Sequence, residues 1–143
     1  MLSRALVLKV AEWPAFKNWI KHSRMTRGLV ERFIAGEDLE TAIRVTQNLN
    51  QQGFAVALDY LGEDTTRPED AENAARQYIL LLEKIAETGV NACISIKLTQ
   101  LGLDLGYDLC KANLECVLKT ARDLGNFVWI DMESSKHTDG ILS

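Results

Sequence analysis

Three apolar runs in this chain each stop abruptly at charged residues. They are Phe54-Ala-Val-Ala-Leu-Asp59-Tyr-Leu-Gly-Glu63, Ala92-Cys-Ile-Ser-Ile-Lys97-Leu-Thr-Gln-Leu-Gly102 and Phe127-Val-Trp-Ile-Asp131-Met-Glu133-Ser-Ser135. Unbroken apolar runs of this length read as strands covered on both faces, the habit of parallel sheets. A charge at the end of such a strand is costly unless it is used. In α/β folds ligands bind at the carboxyl ends of the strands. Asp59, Lys97 and Asp131 therefore read as one side of an active site.

The strands are expected near residues 53–60, 92–98 and 127–132, with helices between them. The first linking helix starts near Thr66-Arg-Pro-Glu69, which offers a hydroxyl cap, an early proline and an acidic first turn. Its apolar stripe is Ala71, Ala74, Ala75, Tyr78, Leu82 and Ile85, closed by Gly89. The second runs from about Asp108 to Leu124. Leu109, Ala112, Cys116, Val117, Ala121 and Leu124 face inward, and Gly125 closes it. These stripes read as core packing. Residues 1–52 read as a helical N-terminal segment. Trp13, Phe16, Trp19 and Ile20 fall at helical spacing, as do Met25, Leu29 and Phe33. After Gly36, Asp38 is a plausible N-cap for a stripe of Leu39, Ala42, Ile43, Thr46 and Leu49, ended by Gly53. Residues 53–143 then form the strand-helix part. Asp59, Lys97 and Asp131 stand 38 and 34 residues apart, a unit repeated at near-constant length. Such units build an open doubly wound sheet or a barrel, with right-handed connections.

The 143 residues suffice for one domain with a core, and 47% apolar with 25% charged residues is ordinary for a soluble globular protein. A net charge of −4 argues against a nucleic-acid partner, which needs a clustered basic face. No stretch approaches the roughly 20 apolar residues of a membrane span. The mildly apolar start is interrupted by Lys9 and reads as helix, not as a signal peptide. Cys93, Cys110 and Cys116 form no CxxC pair, and their odd count fits free thiols of a reducing cytosol acting as small buried hydrophobes. His22 and His137 belong to no transition-metal ligand set.

Spacing alone leaves each candidate open. Lys97 can bind an anion, form a Schiff base or simply be solvated. Asp131 and Glu133 alternate about Met132, so their side chains point the same way. Together they could bind a metal, or one could pair with a lysine. Asp59 and Glu63 read as cap or loop-bracing residues. The loop 61–65 lacks GxGxxG, so there is no dinucleotide fingerprint.

At these residues the chain resembles the proline dehydrogenase family in its single-function bacterial form. Leu58-Asp-Tyr-Leu-Gly-Glu63, Ile94-Ser-Ile-Lys-Leu-Thr-Gln-Leu-Gly-Leu-Asp104 and Ile130-Asp-Met-Glu-Ser-Ser135 look like its first three strand-end motifs. Arg32-Phe-Ile-Ala-Gly36 looks like its RF-x-x-G stretch. The resemblance runs from about residue 30 to about 139. It implies an α/β fold, a distorted (βα)8 TIM-like barrel carrying FAD, of which residues 53–143 are the first three strand-helix units. It implies oxidation of L-proline to 1-pyrroline-5-carboxylate, with electrons passed to a quinone. The setting it implies is the cytoplasm, at or near the inner face of the plasma membrane without spanning it. Lys97 matches the family's lysine for the substrate carboxylate. Asp131 matches an aspartate counted among the catalytic residues, and Met132 a position touching the flavin. Asp59 and Glu63 match the pattern without a catalytic role.

A (βα)8 barrel needs about 250 residues, and this chain supplies three strands. In the family the later strands hold most FAD contacts, and a pair of arginines on the last helix completes the carboxylate clamp. No Tyr-x-x-Arg-Arg occurs here. The expectation is therefore a truncated or split form, inactive alone, completed by another chain or self-associating. Side chains such as Val56, Ile94 and Val128, or their alternates, would face the barrel interior. Two other classes stand beside this one: a Schiff-base lyase of aldolase type with Lys97 as nucleophile, and a non-enzymatic fragment that needs a second chain.

Overall fold

The computed structural model describes residues 38–62 and 65–142. The N-terminal stripes, Arg32 to Gly36 and Glu63 lie outside the described residues. The elements follow the order α1 (Leu39–Gln51), β1 (Val56–Asp59), α2 (Pro68–Thr88), β2 (Ala92–Ile96), α3 (Tyr107–Asp123), β3 (Val128–Ile130) and α4 (Thr138–Leu142). β1 and β3 are shorter than expected at both ends and β2 only at its C-terminal end, and the short α4 was not expected.

All pairing is parallel, in the order β1-β2-β3. The register sets Asp59 beside Ser95, Ser95 beside Trp129 and Ile96 beside Ile130. Because side chains alternate, one face carries Val56, Leu58, Ala92, Ile94, Ile96, Val128 and Ile130. That face packs on the helices. Leu58, Ile94 and Ile96 join Tyr78, Leu82, Ile85, Val117 and Ala121 in the main apolar cluster. The other face carries Ala57, Asp59, Cys93, Ser95 and Trp129. One expectation is corrected here: the strands are not sealed on both faces, since Trp129 is 55% exposed. Of the two alternating sets of side chains, Val56, Ile94 and Val128 pack on the helices and their alternates form the open face.

Asp38 caps α1, its carboxylate accepting from the Thr41 N–H at 2.8 Å. The stripe expected for α2 is buried throughout, with Leu81 added. Its start differs: Arg67, not Thr66, occupies the N-cap position and makes no side-chain cap bond. Pro68 still takes the first turn, where a missing N–H costs nothing, and Arg67 grips Asp70 through two bonds of 2.9 Å. Gly89 adopts φ 64°, a left-handed conformation suited to glycine, and ends α2.

The phase of α3 differs from expectation. Cys110, Asn113, Val117 and Ala121 are buried, whereas Ala112, Cys116 and Leu124 are exposed. A polar residue takes a core position because Asn113 Nδ2 donates to the Leu101 carbonyl at 3.1 Å, in the loop after β2. All three cysteines are free; Cys110 is buried, Cys93 half-buried and Cys116 exposed. Among the described residues no helix is long and apolar enough to cross a membrane.

Candidate functional site

The parallel register brings the ends of the three strands level, and this alone places Lys97 between two acids. Lys97 Nζ donates to Asp131 Oδ2 at 2.7 Å and to Asp59 Oδ2 at 3.2 Å. Asp131 Oδ1 accepts from Ser95 Oγ at 2.5 Å. Lys97 follows β2 two residues after Ser95, so both side chains reach the open side, where Asp131, just past β3, meets them. The three charged side chains are about one third exposed: 34% for Asp59, 31% for Lys97 and 40% for Asp131.

The charges shift one another. The Lys97 bond, then the Ser95 bond, hold Asp131 below the usual carboxylate range. Lys97 is pushed above its ordinary value, first by the bond to Asp131, against burial, and then by Asp59. The ammonium is thus held charged. Two of its three protons point at carboxylates and one remains for a further acceptor.

Behind Asp59 stands a second layer. The Tyr78 hydroxyl donates to Asp59 Oδ1 at 2.7 Å and lies 2.8 Å from Gln100 Oε1. Gln100 Nε2 in turn donates to the Tyr60 carbonyl at 2.9 Å. Tyr78 and Gln100 are buried. Burial, then the bond to Asp59, push the phenol well above its ordinary range, so it stays a donor. These residues went unnoticed in the sequence because Tyr78 fits an apolar helix stripe. The available signal was its hydroxyl, which a buried tyrosine must satisfy.

Glu133 points in the same direction as Asp131 but reaches a different target. Its carboxylate accepts from the Thr99 N–H at 3.0 Å and from the Thr99 hydroxyl. It fastens the loop after β2 to the end of β3 and leaves Lys97 to Asp131. Of the two uses open to this pair of acids, pairing with a lysine is the one observed. Among the described residues no group of three or more His, Cys, Asp or Glu is arranged to hold a metal. Met132, directly after Asp131, is 57% exposed. It offers a polarizable surface beside the charged cluster.

The arrangement can give one Lys97 N–H to an acceptor and sets two carboxylates beside it that favour a cationic group. The family model described as proline dehydrogenase matches residues 42–143. Proline dehydrogenase 1 of Bacillus subtilis (strain 168) is 36% identical over 118 residues, covering 82% of this chain and 39% of that protein. Proline dehydrogenase of Deinococcus radiodurans is 35% identical over 144 residues, covering 99% of this chain and 46% of that protein. A crystal structure of proline utilization A from Bdellovibrio bacteriovorus, inactivated by N-propargylglycine, superposes with a TM-score of 0.73 at 22% identity. That match covers 99% of this chain and 17% of the other, and it shows a shared fold. The chain spans less than half the length of the curated relatives it matches. With the family model covering most of its length, the chain belongs to the proline dehydrogenase family.

Proposed function

We propose that residues 53–143 form the first three strand-helix units of a (βα)8 barrel, after a helical segment over 1–52, in a FAD-dependent proline dehydrogenase. The whole enzyme would oxidise L-proline to 1-pyrroline-5-carboxylate and pass electrons to a quinone. Its setting would be the cytoplasm, at the membrane surface. The observation that carries the reading is Lys97, fixed between Asp131 and Asp59 at the strand ends of a chain of this family.

Lys97 gives its third N–H to the substrate carboxylate, as a compact point charge. Asp131 keeps the ammonium charged and aimed, and Ser95 holds Asp131. The cluster itself has two carboxylates for one ammonium. A substrate carboxylate bound here therefore needs further cations from the rest of the barrel, while the substrate's own ammonium is welcome beside the acids.

The residues present fit one edge of a flavin. Met132 is exposed next to Asp131, where its thioether can pack on an aromatic ring. Bound FAD would supply the hydride acceptor for the ring carbon next to nitrogen. The remaining FAD contacts would come from later strands.

A Schiff-base lysine must be neutral to attack a carbonyl. Lys97 is driven the other way by its two acids, which disfavours the lyase reading.

The test is Lys97→Ala in a complete enzyme carrying this segment. Truncating one member of a buried charged pair costs about 2–5 kcal/mol. The expected loss in kcat/KM for proline is about 30-fold to a few thousand-fold. Lys97→Arg should recover only part of it, because a planar fork does not replace an ammonium at the same reach. Flavin absorbance should be retained. Loss of flavin with normal proline binding would show that Lys97 has another role.

A further inference from the structure

Asp59 is a third exposed and sits at the end of an edge strand. A short acid there has open water to turn into, yet it faces Lys97. What stops it from turning is the phenol of Tyr78, in the middle of α2, 2.7 Å from its other oxygen. The phenol is itself immobile. Its ring is buried in the main cluster, with the Tyr60 ring edge-on at 6.1 Å. Gln100 Oε1 stands behind its oxygen, and the Gln100 amide is oriented by the Tyr60 carbonyl. That carbonyl can only accept, so the amide nitrogen must face it and the amide oxygen must face the phenol. Gly62 makes room for this arrangement: a Cβ there would run into Gln100 Nε2.

A string of contacts therefore leads from the backbone of Tyr60 through Gln100 to Tyr78, whose single proton is within reach of both Gln100 Oε1 and Asp59 Oδ1, and from Asp59 to Lys97. We infer that Tyr78, backed by Gln100, is a positioning residue that acts through Asp59 to fix where the Lys97 ammonium points. The phenol holds one carboxylate oxygen so that the other faces the ammonium. The Asp131 contact, at 2.7 Å, is the tighter anchor, and Asp59, at 3.2 Å, sets the angle from the opposite side. The functional meaning of that angle rests on the proposal that Lys97 receives the substrate carboxylate.

The coupling itself can be measured on the chain without substrate or cofactor. Competitive acetylation followed by mass spectrometry reads the free-amine fraction of each lysine. The Lys97 rate is taken relative to Lys84, which pairs with Glu87 and Glu40 far from the site. Tyr78→Phe keeps the ring and removes only the hydroxyl. With Asp59 released, Lys97 loses one acid, and its relative rate should rise about two- to fivefold, as expected for one partly exposed ion pair. Asp59→Asn should give the same rise, and Tyr78→Phe with Asp59→Asn should give no more than Asp59→Asn alone.

An unchanged Lys97 rate in Tyr78→Phe, or additive effects in the double variant, would overturn the inference. If Tyr78→Phe disrupts folding, the Lys84 rate rises as well, and Asp59→Asn alone then decides. An unchanged Lys97 rate in Asp59→Asn would leave the phenol nothing to act through. Should the coupling appear while Lys97→Ala leaves proline turnover intact in a complete enzyme, the string stands and the substrate role of Lys97 falls.

Discussion

The two faces of β2 differ more than any two helices of the molecule. Ile94 and Ile96 point to the helices and are fully buried, whereas Ser95 and, just past the strand, Lys97 point the other way and remain partly accessible. Five residues thus serve two masters. One face is shaped by packing and is indifferent to charge. The other is held by hydrogen bonds and ion pairs and contributes little burial. Stability and chemistry are separated by a single residue step along the strand, so a one-residue slip of register would exchange them.

The largest effect that can break this contrast is on the packed face. Ile94→Ala should lower unfolding free energy by about 2–5 kcal/mol, the cost of removing a fully buried aliphatic side chain and leaving a cavity. The check is the urea midpoint, with an unchanged slope. Cys93→Ala, one residue away on the open face, should cost far less. Equal losses at the two positions would mean that the faces are not energetically distinct.

How much of this was readable in the sequence depends on whether side-chain polarity agreed with burial. The α2 stripe was legible because alanines and Leu82 recur at helical spacing between Pro68 and Gly89. For α3 the polarity misled. Asn113 is buried because it caps the Leu101 carbonyl, while Cys116 and Leu124 lie outside. Lys97 and Asp131 were legible because a charge directly after an apolar run is conspicuous. Tyr78 and Gln100 were not, since their role depends on contacts across 19 and 40 residues that only the packed strands and helix create. Asp59 stood between these cases. It was noticed, but bracing the Tyr78 hydroxyl and facing Lys97 turned out to be the same position.

A smaller effect separates the faces by pH. The folded pKa of Asp131 is depressed below the ordinary 3.8. Its stabilisation is therefore fully present above that value and is lost as pH falls through the folded pKa. Lys97 is raised above 10.5, so its share is present below that value and fades as pH rises through the folded pKa. Solvent screening limits the pair to about 1 kcal/mol. Asp131→Asn should remove its part of the acid limb in a plot of urea midpoint against pH. Ile94→Ala should shift the whole plot down without changing its shape.

The smallest effect is the most local. Ser95 Oγ donates to the Asp131 oxygen that Lys97 leaves free. In Ser95→Ala that oxygen is still within reach of water, because Asp131 is 40% exposed. Water can therefore take the place of the hydroxyl, and the stability loss should sit at the bottom of the usual range for one hydrogen bond, about 0.5 kcal/mol. The change should be clearer in titration. The Ser95 bond is the second cause of the low Asp131 pKa, after Lys97, so carbon NMR of the Asp131 carboxyl should show its midpoint moving up toward the ordinary value without reaching it. A loss as large as that of Ile94→Ala would show that Ser95 is packed rather than bonded, and that the open face carries stability after all.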